Sequence, residues 1–354
     1  MQAVVLVGGE GTRLRPLTLE TPKPMVPIMN VPFLERTLVR LKEAGIDDVI
    51  LPAGYLPAAI SSYFGDGARL GLSIKYVIEE TPLGTAGAIK NVAQYITGPF
   101  FVLNGDVLTS LDLKKMRAVH EEKRGLGVLH LIRVADPSAF GCVVHENNGK
   151  VTAFVEKPKR EEAPTNEINA GTYLLDPAVL DLIPAGRMVS IERETFPLIV
   201  AGPRPLYAYT TDDYWIDLGS PAAYLSAHHN VFDGAMPLGI GQGTNGPGAN
   251  ACEANSCVPP VFIGNRVRIA PDARVGPYVV LGDGCTIGAG ASIRNSVLWD
   301  DVAVEDGARI DGSIIASRTT VGAHAVVRTG SVIGHGGDVA SGSEVEENAR
   351  VTAG

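Results

Sequence analysis

The chain has 354 residues, 45% hydrophobic and 19% charged, with a formal net charge of −9. That length holds two domains, each with its own core. The acidic balance excludes a general nucleic-acid binder, which needs a basic face, but leaves room for a nucleotide site built from a few local cations. No basic segment leads into a long apolar stretch, and no apolar run is long enough to span a bilayer. We therefore expect a cytoplasmic protein with no nucleic-acid and no membrane partner. Cys142, Cys252, Cys257 and Cys285 form neither a paired zinc spacing nor a Cys-x-x-Cys motif, so they read as free thiols. Cys252 and Cys257 share a glycine-rich segment, where a metal or a disulfide is the alternative.

Residues 3–7 are an apolar run that predicts a buried strand. The run breaks at Gly8 and Gly9, and Gly11 and Thr12 follow. Arg13 and Arg15 come next, then Lys23 between Pro22 and Pro24. Glycine amides followed by fixed cations suit a polyphosphate. The spacing fits neither a Walker A loop nor a dinucleotide fingerprint, so a plain strand-to-helix turn stays open. Residues 32–45 carry Phe33, Leu34, Leu38, Leu41 and Ala44 near helical spacing, and Gly45 is placed to end that helix. Residues 48–52, 74–78 and 100–103 read as further short buried strands. Strand and helix alternation implies a mainly parallel sheet covered by helices on both faces. Ligands of such sheets bind beyond the C-terminal strand ends, where the glycine loop and the turn holding Asp106 both lie. Asp106 could equally close an Asx turn. Asp217 sits within the apolar run Trp215-Ile216-Asp217-Leu218, where a carboxylate needs a partner or a metal.

Residues 233–260 are dense in Gly, Asn, Ala and Pro and read as a linker. From Val261 the chain repeats. Ile263, Ile269, Val275, Leu281, Ile287 and Ile293 recur every six residues, and the series runs on through Leu298, Val304 and Ile310 after one five-residue step. It shifts again and continues through Ile315, Val321, Val327, Ile333, Val339, Val345 and Val351. A six-residue apolar period is the signature of a parallel β-helix. The domain reading is 1–232, linker 233–260 and repeat 261–354. Every residue with a chemical reading precedes Phe232, so the repeat is expected to serve self-association rather than chemistry.

The opening stretch resembles the signature of sugar-1-phosphate nucleotidylyltransferases. It stands here as Gly8-Gly9-Glu10-Gly11-Thr12-Arg13-Leu14-Arg15-Pro16-Leu17-Thr18, followed by Pro22-Lys23-Pro24. Further segments resemble those of mannose-1-phosphate guanylyltransferases that carry a C-terminal left-handed β-helix. These are residues 82–87, Phe154-Val155-Glu156-Lys157-Pro158, Asn169-Ala170-Gly171 and residues 191–197. The resemblance implies a Rossmann-like α/β domain followed by a left-handed hexapeptide β-helix of about five coils. It also implies transfer of a nucleoside monophosphate from an NTP, GTP favoured, to a hexose 1-phosphate, mannose 1-phosphate favoured.

That reaction needs charge neutralisation and alignment more than a protein nucleophile. The resemblance implies Gly8, Gly9, Gly11 and Thr12 around the phosphates, with Arg13 and Lys23 as their cations. It implies Asp106 and Asp217 as ligands of Mg²⁺. Glu80, Gly84 and Thr85 fall in the base loop, where a carboxylate suits the two donors of guanine; a helix cap at Thr85 is the plainer reading. Gly141, Glu156 and Asn169 fall on the sugar, and Lys157 on its phosphate. Related glucose-1-phosphate enzymes share most of these motifs, and a non-catalytic nucleotide-sugar-binding subunit is a further alternative. Acyl transfer in the repeat would need a histidine base, and His324 and His335 read better as solvated or interface residues.

Overall fold

The run predicted at residues 3–7 forms strand β1 (Gln2–Leu6), fully buried along most of its length, inside a nine-stranded sheet. The computed structural model describes residues 1–238, 240, 243–252 and 256–352. The other strands of this sheet are β2 (Asp48–Ala53), β3 (Ser73–Ile78), β4 (Phe100–Asn104), β5 (Gly127–Arg133), β6 (Gly141–His145), β7 (Val151–Glu156), β8 (Glu167–Leu175) and β9 (Leu206–Thr210). Their order is β7-β6-β8-β4-β1-β2-β3, with β5 pairing β8 and β9. The strands β4, β1, β2 and β3 pair in parallel, as continuous apolar runs require when both faces are covered. Beyond β4 the sheet is mostly antiparallel, because β6 and β7 are joined as a hairpin and β8 runs against β4, β5 and β6, while the edge strand β9 pairs with β5 in parallel. The sheet is thus mixed, with its parallel half at the N-terminal end. The helix expected at residues 32–45 spans Phe33–Glu43, and Gly45 with φ of 77° follows it.

By contacts the chain divides into two units: Met1–Gly9 with Leu34–Trp215, and Glu10–Phe33 with Ile216–Gly354. The first unit holds the sheet. Val4, Phe100, Val102, Leu129, Tyr173 and Phe196 lie at the heart of its core. The second holds the hexad repeat, the helix Pro221–Phe232 and the loop of residues 10–33.

Among the described residues the repeat is a parallel β-helix with three sheets, one of seven strands and two of five. Val261 pairs with Val279, Val280 with Val297, Val297 with Ile314, and Ile314 with Val332, so identical hexad positions stack coil upon coil. Ile263, Leu281, Leu298, Ile315 and Ile333 fill its axis with almost no exposure. The five-residue steps fall at buried Ser296 and Ser313. There the Ser313 N–H donates to Ser296 Oγ at 3.1 Å and the Ser313 hydroxyl reaches the Arg328 carbonyl at 2.8 Å, so side chains satisfy backbone groups at the short corners.

Two expectations change. The segment 233–260 is more than a spacer. Thr244–Asn245 is the edge strand of the seven-stranded sheet and pairs with Val261–Phe262, and Cys257 bridges to Val275. Its residues 239, 241–242 and 253–255 lie outside the described residues. Gly and Asn suit tight coil corners as well as linkers, which is why composition pointed the other way. Within that partial coil Cys252 and Cys257 are joined as a disulfide with Cα atoms 5.6 Å apart, correcting the free-thiol reading for this pair. Cys142 and Cys285 are buried free thiols.

Candidate active site

In the first unit the C-terminal ends of β1, β2 and β3 lie together. Gly8 and Gly9 follow β1 and are exposed. A Cβ placed on Gly8 would lie 3.7 Å from the Gly54 nitrogen after β2 and 3.6 Å from Glu79 Oε2 after β3. Glu79 is half-buried and its Oε1 has no hydrogen-bond partner among the described residues. Burial pushes its carboxyl above the ordinary glutamate range, with the Leu83 backbone pulling the other way. Glu80 is exposed. The carboxylate turned toward the glycine loop is therefore Glu79, one residue before the one singled out from sequence. Alternation along β3 was the available signal: Glu79 continues the face of Val77, which points inward.

The helix Gly84–Asn91 begins without a side-chain cap. Gly84 has φ of 69°, and a Cβ there would lie 2.7 Å from the Val189 carbonyl oxygen, so only glycine fits. Thr85 does not cap the helix. Its hydroxyl donates to Glu192 Oε2 at 2.9 Å and accepts from the Ile191 N–H at 2.8 Å, which ties the loop to residues 190–192.

Asp106 follows β4 in a turn whose Gly105 N–H donates to the Leu6 carbonyl at 3.0 Å. Asn104 beside it packs on Gly171, and its Oδ1 is buried with no hydrogen-bond partner among the described residues. Asn169 donates to the Tyr173 hydroxyl at 2.8 Å and accepts from the Gly171 N–H at 3.0 Å. Tyr173 is fully buried, which raises its phenol well above normal; the charges of Glu192, Glu156 and Asp106 add to that. Asn169 is thus the side chain that holds this hydroxyl.

Glu156 is itself raised, by burial first and then by Glu192. Its carboxylate hangs over Gly141 and lies 3.8 Å from Lys157 Nζ. Lys157 is exposed and holds φ of 49°, an uncommon conformation for a non-glycine residue. Phe140 stacks edge-on to Trp215 at 5.3 Å, and the Trp215 indole donates to the Ala170 carbonyl at 2.9 Å.

In the second unit the loop after Gly9 folds on itself. Gly11 has φ of 65°, and its carbonyl accepts from the Thr18 hydroxyl at 2.9 Å. A Cβ on Gly11 would lie 2.9 Å from Lys23 Cβ, so glycine lets the Lys23 stem pass. Thr12 and Arg13 open a short 3₁₀ turn, Thr12–Leu14. Arg13 Nη2 lies 3.6 Å from Asp217 Oδ2 and Lys23 Nζ lies 3.9 Å from Asp217 Oδ1. The side chains of Arg13, Lys23 and Asp217 are 67%, 11% and 24% exposed. Arg13 lies over Gly219, which has no side chain to obstruct it. Two cations of one loop thus gather around a carboxylate from about two hundred residues further on. Such a cluster presents positive charge that a polyphosphate can take up.

Residues 2–234 match the family described as Nucleotidyl transferase, and residues 257–352 match the GMPPB C-terminal domain. The mannose-1-phosphate guanylyltransferase of Mycobacterium tuberculosis is 42% identical over 313 residues, 88% of this chain and 83% of that protein. Mannose-1-phosphate guanylyltransferase 1 of Arabidopsis thaliana is 36% identical over 99% of this chain and 95% of its own. The UTP–glucose-1-phosphate uridylyltransferase of Synechocystis is 33% identical over 94% of this chain and 90% of its own. Among solved structures, HddC from Yersinia pseudotuberculosis complexed with GMP-PN superposes with a TM-score of 0.56 and 32% identity, over 65% of this chain and 99% of HddC. The chain therefore belongs to the nucleotidyl transferase family, an enzyme whose transferase domain is followed by a GMPPB-type β-helix.

Proposed function

We propose that this protein transfers a guanylyl group from GTP to mannose 1-phosphate, releasing pyrophosphate. The observation that carries the reading is the cluster of Arg13 and Lys23 around Asp217, which provides cations for a triphosphate. Two relatives along most of the chain bear the mannose-1-phosphate guanylyltransferase name. In this reading the sugar-phosphate oxygen attacks the α-phosphorus in line with the departing pyrophosphate. Arg13 and Lys23 hold the triphosphate, and Glu79 accepts from the two guanine donors. Glu156 and Asn169 bind sugar hydroxyls, and Lys157 holds the sugar phosphate and brings the nucleophile to the α-phosphorus.

No group of three or more His, Cys, Asp or Glu side chains suited to a metal gathers among the described residues. The donor chemistry nevertheless fits Mg²⁺, which takes one or two carboxylates and completes its octahedron with phosphate oxygens and water. Asp106 and Asp217 would be those carboxylates, and the ion would offset charge on the phosphates as pyrophosphate departs.

A pyrophosphate-release assay over several NTPs and hexose 1-phosphates tests the reading. GTP with mannose 1-phosphate should give the highest kcat/KM. The second reading, a glucose-1-phosphate enzyme, is favoured by the Synechocystis relative. It wins if glucose 1-phosphate is the better acceptor. No turnover with any pair would leave a non-catalytic nucleotide-sugar-binding subunit. Self-association through the β-helix is part of the same proposal, and light scattering of the full chain should return a multiple of the 37.2 kDa monomer.

Lys157→Ala should raise KM for the sugar phosphate by about 10-fold to 100-fold, as expected for losing one charge-assisted contact, while KM for the nucleotide barely moves. A defect confined to nucleotide affinity would reverse the two subsites.

A further inference from the structure

The loop of residues 10–33 belongs to the same unit as the β-helix. Its attachments are polar and specific. His335, in a late coil, is buried with 7% exposure. Its Nε2 lies 3.1 Å from Thr21 Oγ1 and 3.3 Å from the Leu17 carbonyl oxygen. A carbonyl only accepts, so Nε2 carries the proton and Nδ1 the lone pair. Nδ1 is buried with no hydrogen-bond partner among the described residues. A second proton there would put a charge in a buried setting, and burial lowers the ring's pKa, with Glu20 and the Leu17 carbonyl pulling the other way. The ring is thus neutral, with its one N–H turned to the loop. Beside it, Gly334 lets Pro16 approach so closely that a Cβ on the glycine would lie 3.1 Å from Pro16 Cβ.

The contacts continue along the loop. The His335 ring packs edge-on against Trp299 at 5.2 Å, and the Trp299 indole donates to the Tyr224 hydroxyl at 3.1 Å. The Tyr224 hydroxyl in turn donates to the Pro27 carbonyl at 2.6 Å. The Met29 N–H donates to His228 at 3.3 Å, and Asn30 donates to the Leu281 carbonyl at 2.7 Å. The loop is therefore held at residues 16–21 and again at residues 27–30. Lys23 lies between these anchors. Arg13 lies just before the first, in a turn whose Gly11 carbonyl is held by the Thr18 hydroxyl.

We propose that this end of the β-helix is a working part of the nucleotide site, with His335 as a positioning residue. By holding Leu17 and Thr21 it keeps Arg13 and Lys23 aimed at the triphosphate. This rests on the assignment of those two cations to the triphosphate. It gives the repeat a role in chemistry besides assembly.

The test uses the full chain with GTP and mannose 1-phosphate. His335→Phe keeps the ring and removes the donor; His335→Gln keeps a donor. His335→Phe should raise the KM for GTP about tenfold, as expected for losing one buried hydrogen bond, and leave that for mannose 1-phosphate within about twofold. His335→Gln should recover most of the loss. Should His335→Phe fail to fold, Thr21→Val removes only the hydroxyl and should shift the GTP KM in the same direction by about threefold. An unchanged GTP KM in the folded variants overturns the proposal. So does an equal loss for both substrates, or a failure of His335→Gln to restore the nucleotide. Arg13→Ala and Lys23→Ala run alongside. If neither weakens GTP, the triphosphate assignment itself fails. If both do and the His335 variants do not, only the positioning role fails.

Discussion

Asp217→Asn should remove most turnover while leaving a folded protein, with kcat falling by about 10²-fold to 10³-fold, the usual scale for losing one transition-state charge contact. Asparagine keeps the shape of the side chain but not its charge. The site then loses whichever role the carboxylate plays, as an anchor for Arg13 and Lys23 or as a metal ligand. The two roles separate in the kinetics. An anchor alone would show mainly as a higher KM for GTP, because the cations lose their preset aim. A metal ligand would show mainly in kcat and in a steeper requirement for added Mg²⁺. The largely exposed Arg13 pair at 3.6 Å contributes weakly to folding, so any stability loss falls mainly on the more buried Lys23 pair at 3.9 Å. Asp106→Asn should behave as Asp217→Asn does if both hold one ion. A variant with parental kcat across the Mg²⁺ titration removes that carboxylate from the site.

What could be read from sequence follows from how far each signal reaches along the chain. The strand at β1 and the hexads from Val261 are written in local periodicity, so both stand where the pattern puts them. The antiparallel half of the first sheet was hidden, because a buried antiparallel strand such as β8 reads as the same apolar run as a parallel one. The partial coil at Thr244–Asn245 was hidden because Gly and Asn serve linkers and coil corners equally. The signature loop names Arg13 and Lys23 but not what holds them. Thr21 and His335 are 314 residues apart, and no pattern along the chain joins them. His335 read as a solvated or interface residue because its hexad gives no hint of a partner beyond the repeat. Glu79 and Glu80 are adjacent and chemically identical, so only the direction of the side chain, set by burial, distinguishes them.

On the proposed guanine contact, Glu79→Gln should lower the preference for GTP while making the protein slightly more stable. A carboxylate accepts from both guanine donors, whereas an amide can accept only one of them and sets its own N–H₂ against the other. Each charge-assisted bond contributes about 1.5–3 kcal/mol, so kcat/KM for GTP should fall by about 10²-fold against an NTP whose base lacks those donors. The pH dependence gives a second reading. Burial raises the Glu79 carboxyl, so the native state holds its proton more tightly than the unfolded chain does. Native stability then falls as pH rises from the unfolded value through the raised one. Above that raised range the ionised, half-buried carboxylate is a net cost to folding, and removing its charge should raise the Tm there. The proposed guanine contact needs the ionised form, so the parental KM for GTP should climb as pH drops toward the raised carboxyl range. The Glu79→Gln enzyme should lack that limb, and Glu80→Gln should keep it. If Glu80→Gln loses guanine preference and Glu79→Gln does not, the exposed carboxylate reads the base and the buried one is structural.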